Sequence, residues 1–311
     1  LFVLICIGAF VGAFALSNAI HLAYANYLTR EYRVNWSDEV GTVRTDLAYG
    51  EGDAQKYDLY LPADSSKDSY GLIVYLHAGG FTTGDKSGDA ETLEYFCSLG
   101  YVTAGINYTL ASEENHASVY TQSEEIKAAV PQVVEKAREL GYNVDRMAMA
   151  GGSAGGALAL IYAYRDADEA PAPVRMVFEA VGPSSFYPED WTSYGTDQSP
   201  EAAAALFSAM RGEAVDPDIL GTPAYDELMK PISPLLWVEE DTVPTVMAYG
   251  KYDRVQPYAA SVRLDRALTE AGVDHAYIVC EHSGHGLQND LAEGVRYNET
   301  VNDYLDRYMA S

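Results

Sequence analysis

Arg146-Met147-Ala148-Met149-Ala150-Gly151-Gly152-Ser153-Ala154-Gly155-Gly156-Ala157-Leu158-Ala159-Leu160-Ile161 is the stretch from which the rest of this chain is read. Its first five residues form a short, mainly apolar run that predicts a strand. Its last residues predict the start of a helix. Between them lies a serine flanked by glycines. A serine on so sharp a strand-to-helix turn projects its hydroxyl above the sheet, and its neighbours must be small because strand and helix crowd there. Taken alone, Gly-x-Ser-x-Gly is also an ordinary glycine-rich turn, so its meaning depends on what flanks it.

Upstream, Leu72-Ile73-Val74-Tyr75-Leu76-His77-Ala78-Gly79-Gly80-Phe81 reads as a buried strand running into a glycine turn. Glycines there let the backbone N–H groups of Gly79 and Gly80 point into a cleft. With the N–H of Ala154, they would bind the oxyanion of a tetrahedral intermediate. Downstream, Val246-Met247-Ala248-Tyr249-Gly250-Lys251-Tyr252-Asp253 is a strand that ends at an acid. Ala276-Tyr277-Ile278-Val279-Cys280-Glu281-His282-Ser283-Gly284-His285-Gly286 is a strand that ends at a histidine loop. A serine hydroxyl is a poor nucleophile near neutral pH; it needs a base, and the base needs an orienting acid. The candidates are Ser153 as nucleophile, Asp253 as acid and His285, between two glycines, as base. His282 is the rival base, with pocket lining or loop bonding as its expected role. Asp241, Asp274 and Asp290 lack a comparable placement and read as solvated loop or helix-end charges.

The order of oxyanion turn, Ser, Asp and His resembles the α/β-hydrolase superfamily. His77-Ala78-Gly79-Gly80-Phe81 is similar to the His-Gly-Gly-Gly turn of hormone-sensitive-lipase-like and feruloyl- or acetylxylan-esterase-like carboxylesterases, and Gly151 to Gly156 to their nucleophile turn. Asp46-Leu47-Ala48-Tyr49-Gly50 and Gln55-Lys56-Tyr57-Asp58-Leu59-Tyr60-Leu61-Pro62 resemble their opening hairpin. The likeness runs from about residue 42 to the C-terminus. It places the histidine of the triad at His285 and gives His77 the task of holding the turn. Two positions depart from the pattern. Ala78 replaces the first glycine of the turn, although the later two carry the oxyanion donors in the family. Gln256 stands where the family often has an apolar residue.

The chain has 311 residues, enough for one large α/β domain with an insertion, and 48% of them are hydrophobic. Its formal charge, 20 − 46 = −26, repels phosphate backbones, so nucleic acid is not an expected partner. It also disfavours strongly anionic substrates. Cys6, Cys97 and Cys280 are too few and too irregularly spaced for a disulfide framework and read as buried free thiols. No Cys-x-x-Cys or His-Glu-x-x-His pattern occurs, and a His282–His285 metal pair has no third ligand nearby in sequence; neither metal nor cofactor is expected. Residues 1–20 are nearly all apolar and uncharged, the length of a membrane span. Ala23-Tyr24-Ala25 fits a small-x-small cleavage site, so a secretory signal and an uncleaved anchor both stay open for residues 1–25. Either would place the catalytic domain outside the cytoplasm, secreted or membrane-anchored, with possible membrane contact confined to residues 1–20.

Residues 26–41 read as a connector, and 42–311 as the α/β-hydrolase domain. Strands are expected near 42–48, 56–61, 72–76, 101–106, 146–150, 174–180, 245–249 and 276–280. Helices are expected near 89–98, 118–140, 156–164, 258–271 and 291–309, with a kink possible at Pro131. Alternating strands and helices imply a mainly parallel sheet covered on both faces. Residues 186–237 break the rhythm and read as a small cap insertion that shapes the pocket. Phe81, His282 and Trp191 are the expected substrate-binding residues. The resemblance implies a serine carboxylesterase acting through an acyl-enzyme on short-chain, acetyl-like or aryl esters, small or carbohydrate-linked. A kynurenine-formamidase-like amidase and a peptidase remain open on the same scaffold, as does a non-catalytic recognition domain.

Overall fold

The computed structural model describes Tyr27 and residues 30–310; the apolar segment at residues 1–20, the site of the expected signal or anchor, and Cys6 lie outside the described residues. Among the described residues no helix is long and apolar enough to cross a membrane. Strands β1 (Gly41–Ala48), β2 (Lys56–Pro62), β3 (Tyr70–Leu76), β4 (Val102–Ile106), β5 (Val144–Gly152), β6 (Val174–Ala180), β7 (Thr245–Gly250) and β8 (His275–Cys280) form one sheet. Their order is β1-β2-β4-β3-β5-β6-β7-β8. β2 pairs antiparallel with both β1 and β4; every other pairing is parallel. β3 and β4 are almost wholly buried, as strands covered on both faces must be. The architecture is that of the α/β-hydrolases.

Helices α1 (Ala90–Ser98), α2 (Val119–Glu139), α3 (Ala154–Arg165), α4 (Pro200–Arg211), α5 (Pro223–Met229), α6 (Tyr258–Ala271) and α7 (Leu291–Tyr308) complete the domain. Alternate side chains of the central strands divide the core. Val74, Met149 and Val177 join residues of α2, α3 and α6 on one face. Ile73, Ala148 and Phe178 join residues of α1 and α7 on the other. α2 starts at a reciprocal cap: the Ser118 hydroxyl accepts from the Thr121 N–H at 3.2 Å, and the Thr121 hydroxyl accepts from the Ser118 N–H at 2.8 Å. Its buried positions Ile126, Ala129, Val130, Val133, Val134 and Ala137 recur at helical spacing, and the helix runs on through Pro131. Cys97 and Cys280 are free and buried. The elements that matter for chemistry all end at one edge: β3 before Gly79, β5 before Ser153, β7 before Asp253 and β8 before His285. Ligands of open parallel sheets bind beyond these carboxyl ends.

Candidate active site

Ser153 sits at φ 51° and ψ −122° between β5 and α3. Such a left-handed backbone costs a non-glycine residue roughly 1–3 kcal/mol and persists only where its surroundings enforce it. Two hydrogen bonds do so: the Ser153 N–H donates to Ala180 O at 2.8 Å, and Ser153 O accepts from the Ala157 N–H at 3.1 Å. The glycines around it answer to close approach. A Cβ on Gly155 would lie 1.9 Å from Leu76 O, and one on Gly151 would lie 2.4 Å from the Gly155 carbonyl carbon. The first turn of α3 is therefore pressed against the end of β3. This fixes where the hydroxyl points.

Ser153 Oγ lies 2.8 Å from His285 Nε2, and His285 Nδ1 lies 2.7 Å from Asp253 Oδ2. A carboxylate can only accept, so Nδ1 carries the proton and Nε2 is free to accept from the serine. The second Asp253 oxygen accepts from the N–H groups of Val255 at 2.8 Å and Gln256 at 2.9 Å. The carboxylate is wholly buried yet held by three donors. Gln256 thus serves the acid through its main chain, while its side chain is buried and its amide oxygen has no hydrogen-bond partner among the described residues. The acid and base loops are tied to each other. The Tyr252 N–H donates to Ser283 O at 2.9 Å, the Lys251 N–H donates to Cys280 O at 3.0 Å, and a Cβ on Gly250 would meet Gly284 O at 2.2 Å.

The turn after β3 is left-handed at three successive residues, Gly79, Gly80 and Phe81, with φ 138°, 58° and 67°. Gly79 O accepts from the Thr82 and Thr83 N–H groups and the Thr83 hydroxyl, which curls the turn over Ser153. The first N–H groups of α3, including that of Ala154, have no intrahelical acceptor and carry the positive end of the helix dipole. His77 is buried beneath the turn. Its Nδ1–H donates to Ala78 O at 2.8 Å, its carbonyl accepts from the Tyr108 hydroxyl at 2.8 Å, and its ring stacks on Tyr108 at 4.3 Å. Burial pushes its pKa below the usual imidazole value, so the ring is neutral. Sequence reading missed Gln122 altogether. Fully buried on α2, it donates from Nε2 to Phe81 O and to Thr109 O, both at 2.8 Å, and so pins the far end of the turn. A polar residue on the buried stripe of a helix was the one available signal.

Ser153 and His285 open onto a cavity of about 480 Å³ lined also by Ala78, Gly79, Gly80, Val181, Val255 and Leu287. Its walls are small and apolar. The three expected substrate-binding residues are not among them. Trp191 is 2% exposed, donates from its indole N–H to Ser185 O at 2.9 Å and packs among Phe186, Tyr194 and Phe207. It anchors the insertion instead of facing substrate. Phe81 packs against the main core and gives its carbonyl to Gln122 and to the Ala111 N–H. The His282 side chain is 79% exposed and donates from Nδ1 to Asp290 at 2.9 Å, so it neither lines the cavity nor contacts Ser153. Asp290, read from sequence as a solvated charge, has a side chain only 8% exposed. The insertion folds as short helices and, contrary to the expected cap that shapes the pocket, none of its residues lines the cavity. Ser208, Ala209 and Gly212 line a separate open groove with Thr82 and His116.

Known proteins are consistent with this geometry. Esterase LipI of Mycobacterium tuberculosis is 28% identical over 65% of the chain, and Esterase LipQ of the same organism is 26% identical over 84%. The chain spans 61% of the length of each of these relatives. A solved structure described as a truncated form of carbohydrate esterase from gut microbiota superposes with a TM-score of 0.67 at 17% identity, covering 88% of this chain and 99% of that one. The family model described as BD-FAE matches residues 57–268, more than half of the chain, running from within β2 into α6 and including the glycine turn, Ser153 and Asp253, so the protein belongs to the BD-FAE family of the α/β-hydrolase superfamily.

Proposed function

We propose that the protein is a serine carboxylesterase whose triad is Ser153, His285 and Asp253. The observation that carries this reading is the unbroken relay of 2.8 Å and 2.7 Å from a strained serine to a buried carboxylate. Ser153 Oγ attacks the ester carbonyl while His285 Nε2 takes its proton. The oxyanion that forms is received by the N–H groups of Gly79, Gly80 and Ala154. Asp253 holds the imidazolium in register. His285 then returns the proton to the departing alcohol, leaving an acyl-Ser153 ester. Water, activated by the same histidine, releases the acid and restores the serine.

The substrate we favour is a neutral ester with a short acyl group, acetyl to butyryl, or a small aryl acyl group. The walls around Ser153 are small and apolar, and among the described residues no Lys, Arg, Asp or Glu side chain lines the cavity to pair with a charged substrate. The formal charge of −26 works in the same direction. The esterase names of the relatives support the reaction class. The test is kcat/KM across p-nitrophenyl esters from acetate to palmitate, with mass spectrometry locating a fluorophosphonate adduct. We expect a maximum at short chains and the adduct on Ser153. A maximum at long chains, or label on another residue, rejects the reading.

A further inference from the structure

We propose that Asp290 is a positioning residue of the catalytic machinery, clamping the loop after β8 so that His285 stays between Ser153 and Asp253. This rests on the triad reading above. The Asp290 carboxylate, at the mouth of α7, accepts three hydrogen bonds from the start of that loop. Oδ2 takes the His282 N–H at 2.9 Å and the Ser283 hydroxyl at 2.6 Å, and Oδ1 takes the His282 Nδ1–H at 2.9 Å. Ser283 is wholly buried, and its hydroxyl oxygen also accepts from the Asn289 N–H at 3.0 Å. Asn289 Nδ2 closes the ring on His282 O at 2.9 Å. Both ends of the loop are thus joined, and His285 sits at the middle of the closed segment.

The clamp reaches the acid as well. Ser283 donates its hydroxyl to Asp290 while its carbonyl accepts from the Tyr252 N–H, one residue before Asp253. One buried serine therefore registers the base loop against the acid loop. The closed segment also holds Leu287 at φ 54°, a strained conformation for a branched side chain, and Leu287 lines the cavity beside Ser153. Burial acts to raise the Asp290 carboxyl, but hydrogen bonds from Ser283 and His282 outweigh it and hold the group below its ordinary range. It stays an ionised acceptor at neutral pH. A carboxylate so fully engaged, touching no reacting atom, acts through the residues it places.

The test is turnover per active site, counted by stoichiometric phosphonate titration, in D290A, D290N and S283A, with S153A, which has no hydroxyl to label, assayed per mole of folded protein. Misplacing a catalytic group by about 1 Å costs on the order of 100-fold. We therefore expect D290A to lose about 10- to 100-fold in kcat per titrated site with KM within about twofold of wild type. D290N should recover to within about threefold of wild type, since its carboxamide oxygen can still accept from the His282 N–H and Ser283. S283A keeps the main-chain bond from Tyr252 but removes the hydroxyl that ties residue 283 to Asp290 and Asn289, and its expected loss of about three- to tenfold in kcat tests the idea even if D290A does not fold. Wild-type turnover per site in D290A and S283A, or a loss confined to KM, overturns the proposal. S153A separates the two readings. If it keeps its activity, the triad assignment fails. If it is inactive while D290A turns over normally, the clamp alone fails.

Discussion

Gly155 and Trp191 fill space in opposite ways. At Gly155 there is no room for a single methyl group, because a Cβ would stand 1.9 Å from Leu76 O and 2.7 Å from His77 O, and both obstacles are backbone. At Trp191 the largest of side chains is sealed by other side chains, with Phe186 stacked at 5.5 Å and Phe207 edge-on at 6.4 Å. The nucleophile turn is specified by what the main chain excludes, and only glycine meets that specification. The insertion is specified by volume, which many combinations of residues satisfy. A region of the first kind leaves a motif in the sequence. A region of the second kind leaves only composition.

The largest effects should therefore come from the turn and its partners. Ser153→Ala is expected to lower turnover by about 10⁴-fold or more with an unchanged melting temperature. The Ser153→Ala/His285→Ala double variant should be little worse than either single change, since the two residues act as one unit. Additive losses in the cycle would show that they do not. Gly155→Ala sharpens the contrast. Its methyl group cannot be accommodated by a side-chain movement, so loss of both activity and stability is expected, measured by thermal unfolding and ester hydrolysis on the same sample.

In the insertion the expected currency is stability, not chemistry. Trp191→Ala should cost about 3–5 kcal/mol, the range for truncating a large buried aromatic. Because Trp191 lies outside the cavity, the relative rates across the p-nitrophenyl series should keep the wild-type order. A change in chain-length preference without loss of stability would return Trp191 to the substrate site and erase the distinction between the two regions.

The same distinction explains what could be read in advance. The strands along the chain, the glycine turn and the strand ends that carry Asp253 and His285 follow from local rules, whereas the order of the strands in the sheet does not. Glycine marks close approach, and strands that end in chemistry mark the sheet edge. The fold and the order of Ser153, Asp253 and His285 were legible for that reason. Trp191 was placed at the pocket because a bulky aromatic in an insertion suggests a lid; which way it faces depends on Phe186 and Phe207, and no local pattern records that. Asp290 was read as a surface charge because nothing in its neighbours shows that the loop from His282 closes back on it. Gln122 bonds Phe81 O, 41 residues away in the chain, and distance of that kind leaves no periodicity.

Glu179 tests the boundary between the regions, since it is a side chain lodged under the backbone-built turn. It is completely buried, its Oε2 accepts from the Gly182 N–H at 2.7 Å, and a Cβ on Gly156 would lie 2.9 Å from the same oxygen. Its other oxygen, Oε1, has no hydrogen-bond partner among the described residues. Burial pushes its pKa up to about 8. The folded state then keeps a proton that the unfolded state loses above its ordinary pKa, so the group favours unfolding as pH rises from about 4.5 to about 8. Glu179→Gln removes this drain. Its unfolding free energy relative to wild type should climb through that window, with a slope of at most about 1.4 kcal/mol per pH unit. At pH 4, where both states carry the proton, no gain is expected. An offset constant across pH would show that the carboxyl ionises as it does in water.

The smallest effect belongs to the outer end of the base loop. His282 and His285 lie three residues apart, yet one faces solvent and the other faces Ser153. His282→Ala leaves the backbone N–H at 282 in place, so Asp290 keeps two of its three donors, those from the 282 main chain and Ser283. What is lost is a pair whose histidine is largely in water, worth about 0–1 kcal/mol. Turnover should stay within about threefold of wild type, against a loss of about 10³-fold or more for His285→Ala. Steady-state rates on a short-chain ester distinguish these outcomes directly. If His282→Ala falls as far as His285→Ala, exposure and hydrogen bonding have misplaced the base, and the relay through Nε2 of His285 is not the one that turns substrate over.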